Sequence, residues 1–149
     1  MHVHATESTT SRLASAPGRP PEVLVESRGL RATLELPASM GGRDHPETVN
    51  PEQLFGGAYA GCFTFALDYV ARRSRADVSG LRCEAEVRVG RRRGGDLGND
   101  LEVDLVVHLP AVPQAEAEEL CRKATRYCPF HRAIEGNVAA TLVVRGSGG

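Results

Sequence analysis

Asn50 to Val70 reads NPEQLFGGAYAGCFTFALDYV, and the fold turns on how this stretch is read. Asn50 before Pro51 is an N-cap followed by a first helical residue, since Asn accepts from orphan amides and Pro has none to lose there. Leu54, Ala58, Cys62, Phe65, Ala66 and Tyr69 recur at three- and four-residue intervals, the spacing of one helical face. Small residues crowd the middle, at Gly56, Gly57, Ala58, Ala60 and Gly61. Each Gly in a helix costs ~1 kcal/mol against Ala, so their density points to close approach by another backbone or a substrate. Cys62 sits among them, as either a small packing side chain or a nucleophile.

Upstream, Met1 to Ala16 is rich in Thr and Ser without periodicity and reads as a flexible tail over residues 1–16. Pro17-Gly18-Arg19-Pro20-Pro21 is a stiff turn that presents an arginine. Val23 to Val25 and Leu30 to Leu36 flank Arg28-Gly29 and read as a hairpin. Pro37 to Val49 is a polar loop leading into the helix.

Downstream, Leu81, Cys83, Ala85, Val87 and Val89 alternate with charged residues, and Leu101, Val103, Leu105, Val107 and Leu109 do the same. Both are half-buried strands, joined across an exposed loop carrying Arg91, Arg92 and Arg93. A second helix runs from Pro113 to about Tyr127, with Glu116, Glu118 and Glu119 where the helix dipole favours acids. It stops at Cys128-Pro129, because a residue before proline is pushed from helical angles. Val138 to Val144 is a last strand, and residues 146–149 are a loose end. The order predicts one α+β domain over residues 17–145, with mostly antiparallel sheets packed around central helices.

The 149 residues are 41% hydrophobic and 25% charged, with a net charge of −1, ordinary for a soluble globular chain. That charge gives no general attraction to nucleic acid or to an anionic membrane. No basic-then-apolar leader opens the chain. The weakly polar run from Leu54 to Leu67 is shorter than the ~20 apolar residues a bilayer requires. A cytoplasmic location is expected, where cysteines more often serve redox or catalytic ends than disulfide scaffolds.

The cysteines stand at 62, 83, 121 and 128, with no C-x-x-C, and His45, His108 and His131 show no H-x-x-x-H spacing. A structural zinc site has no support in that pattern. Cys83 and Cys121 fall on the core side of their elements and read as small buried hydrophobes. Cys62 and Cys128 differ, each lying where the backbone changes character, beside Gly61 and before Pro129.

Four blocks in order, PEQLF (Pro51–Phe55), GCF (Gly61–Phe63), CPF (Cys128–Phe130) and EGN (Glu135–Asn137), resemble the OsmC/Ohr family, and most closely its organic hydroperoxide resistance branch. The resemblance covers roughly Pro17 to Val144. It implies an intertwined homodimer of OsmC-like fold, with active sites at the subunit interface. It further implies a thiol peroxidase for organic hydroperoxides that needs no metal, haem or nucleotide and is recycled by a dithiol, typically a lipoyl-bearing protein. By motif, Cys62 matches the peroxidatic cysteine, Cys128 the resolving one, and Glu52 the glutamate that orients an arginine. Arg19, in Pro17-Gly18-Arg19, matches the early arginine that stabilises thiolate and peroxide. The flanking prolines depart from the family pattern, and Arg12 and Arg28 are substitutes. His131 stands where the family commonly has serine, and no role is assigned to it.

These residue types suit the chemistry. A thiolate attacks peroxide oxygen, whereas a free cysteine has a pKa of about 8.5; a permanently charged guanidinium beside the sulfur stabilises the anion. A carboxylate holds that guanidinium by paired hydrogen bonds, and a second thiol captures the sulfenic acid before irreversible oxidation. Glu52 and Cys62 are ten residues apart, about 15 Å along a straight helix. Their cooperation therefore needs a helix break near Gly56-Gly57, a bridging arginine, or a carboxylate from a second subunit. Phe55, Phe63, Phe65, Tyr69 and Phe130 form a candidate lining for a hydrocarbon tail, with ordinary core packing as the alternative for each. The rival readings are an OsmC-branch peroxidase of different substrate preference, a non-catalytic binder of apolar ligands or redox sensor, and a structural dimer.

Overall fold

The computed structural model describes residues 10–14, 22–27, 30–43, 45–91 and 98–148, which fall into two compact units, Met1–Leu54 and Phe55–Gly149. Arg19, Arg28, Arg92, Arg93 and the first nine residues lie outside the described residues.

In the first unit, β1 (Thr10–Ala14), β2 (Glu22–Ser27) and β3 (Leu30–Leu34) form an antiparallel sheet in that order. Leu13 stands opposite Val23, and Val25 opposite Ala32. The β2–β3 hairpin is the one expected. Thr10–Ala14, expected to be tail, is instead a strand. Its TSRLA sequence has no alternation to betray it, and main-chain pairing with β2 supplies the order that propensity does not. A single 3-10 turn over Ala38–Met40 follows, and the chain returns so that the Glu35 amide donates to the Val49 carbonyl at 2.9 Å. The first turn of α1 (Pro51–Ser74) is closed reciprocally. The Gln53 amide donates to Asn50 Oδ1 at 2.7 Å, and the Asn50 amide to Gln53 Oε1 at 2.9 Å, a capping box.

The second unit holds α1 from Phe55 onward, β4 (Arg82–Arg91), β5 (Asn99–Pro113), α2 (Gln114–Tyr127), α3 (Pro129–Ile134) and β6 (Ala139–Ser147). β4 and β5 are antiparallel, with Ala85 opposite Leu105 and Val87 opposite Val103. β6 pairs with β5 in parallel, Leu142 against Leu105. The other three pairings are antiparallel, so the α+β class with mostly antiparallel sheet is observed. Val103, Leu105, Val107 and Leu109 point inward from β5 against Tyr59, Phe63, Leu67 and Val70 of α1 and Leu120, Cys121 and Ala124 of α2. Fully burying one such Leu, Val or Phe stabilises by about 1.5–3 kcal/mol.

The buried face of α1 differs from the one the spacing suggested. Gly56, Tyr59, Phe63, Ala66, Leu67, Val70 and Ala71 are buried. Ala58 and Phe65, from the expected stripe, are exposed, Phe65 by 75%, and Tyr69 is 47% exposed. The helix is apolar nearly all round, so periodicity alone does not tell which side meets the sheet. By length and composition only, α1 is also the one described helix apolar enough to cross a bilayer, yet its Tyr59–Phe63–Leu67 face belongs to the core. A Cβ on Gly56 would lie 3.2 Å from Val87 Cγ2 and 3.5 Å from the Ala85 carbonyl, so this glycine admits β4 closely. Gly57 and Gly61 face open space.

The end of the chain is also more ordered than expected, with β6 continuing to Ser147. Gln114 clips it: Nε2 donates to the Val144 carbonyl at 3.0 Å, and the Gly146 amide donates to Oε1 at 2.6 Å.

Candidate active site

Cys62 sits midway along α1, one turn beyond Tyr59, on the boundary between the buried and open faces. Cys128 sits where α2 ends. Its φ and ψ of −75° and 111° are extended, as the residue before Pro129 must be. Its amide still donates to the Ala124 carbonyl at 2.9 Å, while the Arg132 amide donates to the Cys128 carbonyl at 3.1 Å. One residue thus closes α2 and opens α3, and its side chain turns into the core.

There the two sulfurs meet. Cys128 Sγ–H donates to Cys62 Sγ at 3.5 Å, and both thiols are free. A disulfide at about 2.05 Å requires the sulfurs to close by about 1.5 Å, a side-chain displacement. Cys62 is half-buried and Cys128 fully buried. Burial pushes the Cys128 thiol up to about 11, with the Cys62 sulfur adding to the rise and the His131 amide opposing it. That amide donates to Cys128 Sγ at 3.4 Å.

Cys62 opens onto a cavity of about 370 Å³, shared with Phe65, Ala66, Tyr69, Tyr127 and Pro129. Tyr69 and Tyr127 pack with ring centroids 5.2 Å apart, and the Arg73 guanidinium lies 5.7 Å above the Tyr69 ring. The walls are almost wholly apolar, so a hydrocarbon group gains contact there that a small polar oxidant does not. Of the five candidate lining residues, Phe65 and Tyr69 line this cavity. Phe63 is fully buried in the core, Phe55 packs partly buried against it, and Phe130 is 38% exposed on α3 without lining the cavity. Tyr127, Ala66 and Pro129 were missed, although each stands one or four residues from a cysteine.

Tyr59 and His131 were missed as well. The Tyr59 hydroxyl lies 2.7 Å from His131 Nδ1, and the rings stack with centroids 6.2 Å apart. Burial, then the neighbouring Cys128, Cys62 and Cys83, pushes the Tyr59 hydroxyl up to about 12. The hydroxyl therefore keeps its proton, and it pairs with Nδ1 as donor or acceptor according to the imidazole tautomer. The sequence carried a signal: Tyr59 stands three residues before Cys62, and His131 three after Cys128.

Glu52 lies in the first unit, in the first turn of α1, with its Oε2 buried and without a hydrogen-bond partner among the described residues. α1 is unbroken through Gly56-Gly57, which removes a helix break as a route between Glu52 and Cys62. Arg19 and Arg28 lie outside the described residues, and Arg12 falls within β1. Among the described residues no group of three or more His, Cys, Asp or Glu side chains is placed to hold a metal ion.

The fold and the site together define an α+β protein built around a close, unequal pair of thiols beside an apolar cavity. The OsmC-like protein family matches residues 42–143, and the chain belongs to that family. The organic hydroperoxide resistance protein OhrA of Bacillus subtilis (strain 168) is 34% identical over 143 residues, 91% of this chain and 94% of the relative. An organic hydroperoxide resistance protein of Xanthomonas axonopodis pv. citri (strain 306) is 32% identical over 136 residues, 91% and 93% of the two chains. A crystal structure of such a protein from Elizabethkingia anophelis superposes with a TM-score of 0.83 at 28% identity, covering 97% of this chain and all of the other.

Proposed function

We propose that this chain is a cysteine-based peroxidase that reduces organic hydroperoxides to alcohols. The reading rests above all on the 3.5 Å approach of Cys62 to Cys128 at the wall of an apolar cavity. The Cys62 thiolate attacks the terminal peroxide oxygen; the O–O bond breaks and the alkoxide leaves as alcohol after taking a proton. The resulting sulfenic acid condenses with the Cys128 thiol, forming the disulfide and releasing water. A dithiol then reduces the pair by exchange, and a lipoyl-bearing protein is the reductant the resemblance suggests.

Arg19, with Arg12 and Arg28 as substitutes, is the proposed cation that stabilises the thiolate and the developing alkoxide. Glu52 is its proposed anchor, with a buried carboxylate oxygen that has no donor among the described residues. With α1 continuous, either the arginine spans the distance or the carboxylate comes from a second subunit. The open apolar face of α1, with Phe65 and Tyr69 exposed, favours a homodimer that covers it. We place the protein in the cytoplasm.

The test is dithiol-dependent consumption of cumene hydroperoxide. Wild type is expected to turn over, and Cys62→Ser to lose on the order of a million-fold, the scale of losing a nucleophile. Cys128→Ser should undergo one reaction and stall as oxidised Cys62. Absence of turnover in wild type with dihydrolipoamide or dithiothreitol rules out the catalytic reading.

A further inference from the structure

The second step of this reaction competes with damage. Once Cys62 carries a sulfenic acid, two outcomes are open. The Cys128 thiol attacks the Cys62 sulfur, forming S–S and breaking S–O, and the thiol proton leaves with the hydroxide as water. Alternatively a second hydroperoxide delivers another oxygen, giving the sulfinic acid and one more alcohol. The first outcome requires Cys128 to remain close to Cys62 through the reaction cycle.

The Cys128 amide is held by the Ala124 carbonyl, and Ile134 fixes the far end of α3 in the core. α3 has six residues, and a helix that short has no stability of its own. Pro129 and Phe130 at its start are exposed. His131, one turn in, reaches inward. Its backbone amide donates to Cys128 Sγ, and its ring packs on Tyr59 and Phe63 of α1. Its Nδ1 shares a hydrogen bond of 2.7 Å with the Tyr59 hydroxyl. Tyr59 is 1% exposed, and His131 is the described partner for its hydroxyl. The two ends of this link lie one turn from each sulfur.

We propose that the Tyr59–His131 hydrogen bond is a positioning device for resolution. It ties the first turn of α3 to α1 at the level of the two thiols, and so sets how often the Cys62 sulfenate is captured by Cys128 rather than oxidised further. The inference rests on the peroxidase reading above and adds to it residues that touch no substrate. Cys128 keeps its proton at neutral pH because burial raises its pKa, so capture depends on a steady approach rather than on a ready thiolate.

The experiment measures a ratio within one protein. Reduced enzyme is pulsed with increasing cumene hydroperoxide, and mass spectrometry gives the concentration at which half of Cys62 is sulfinic rather than disulfide-bonded. Tyr59→Phe keeps the ring and removes only the hydroxyl; it should lower that concentration about ten-fold, within the range that small misplacements cost. His131→Leu should do the same, and His131→Asn, whose side-chain amide offers both an acceptor and a donor near the Nδ1 position, should recover most of the loss. A Tyr59→Phe half-point equal to wild type overturns the proposal, as does His131→Asn behaving like His131→Leu. A general loosening of the fold would not distinguish Asn from Leu. If wild type forms no sulfenic acid on Cys62 with cumene hydroperoxide, the peroxidase reading falls first and this inference with it.

Discussion

At the scale of single residues, the two buried thiols tie stability to pH. Cys121 is pushed up to about 12 from the ordinary 9.0 by burial, with Cys83 adding to it, and Cys128 is pushed up to about 11. Both keep their protons in the folded chain at pH values where the unfolded chain has lost them. Their contribution to stability is therefore complete below pH 9 and is lost as pH rises through the folded values. Urea midpoints should stay level up to about pH 8.5 and then fall, with a loss on the order of a few kcal/mol by pH 11. Cys121→Ala should make that fall shallower than wild type, and equal slopes would contradict the assignment. Tyr59 and His131 show why single residues are hard to read from a sequence. Their importance lies in a contact between residues 72 positions apart, and their spacing from the cysteines acquires meaning only once Cys62 and Cys128 are known to meet.

At the scale of elements, what was legible followed from packing on one side only. β4 and β5 alternate because one face meets the core, and the CPF break followed from the steric demand of proline on its predecessor. α1 was legible as a helix but not in its orientation, because apolar residues on both sides leave the choice to the tertiary contacts. β1 carried no pattern at all. The continuation of β6 to Ser147 depends on Gln114, whose amide satisfies two backbone groups across the α2–β6 boundary. Its two hydrogen bonds make a specific prediction. Gln114→Ala should destabilise the chain by about 1–3 kcal/mol in urea denaturation and speed amide exchange at Gly146. Unchanged exchange there would mean that the clip is incidental. For the candidate site, the motif blocks picked out both cysteines, whereas the cavity wall was only partly readable. Phe63 turned to the core because it sits one position from Cys62, about 100° around the helix.

At the scale of the whole molecule, the open face of α1 calls for a cover. Phe65 and Tyr69 expose large apolar surfaces beside Cys62, and Gly57 and Gly61 leave the helix backbone accessible. Sedimentation equilibrium at micromolar concentration should give twice the chain mass for wild type. Phe65→Glu, which places a charge on that face, should shift the protein toward monomer and lower peroxidase activity with it. A wild-type monomer retaining full turnover would remove the second subunit from the mechanism.

The parallel seat of β6 beside β5 has a consequence for the birth of the molecule. Parallel neighbours require a crossover, and here the crossover consists of α2 and α3 with Cys128 between them. Cys62 leaves the ribosome 66 residues ahead of Cys128, roughly 3–13 s at ordinary elongation rates. If the proposed roles hold, each nascent copy passes through an interval in which Cys62 has been made and the thiol proposed to protect it has not.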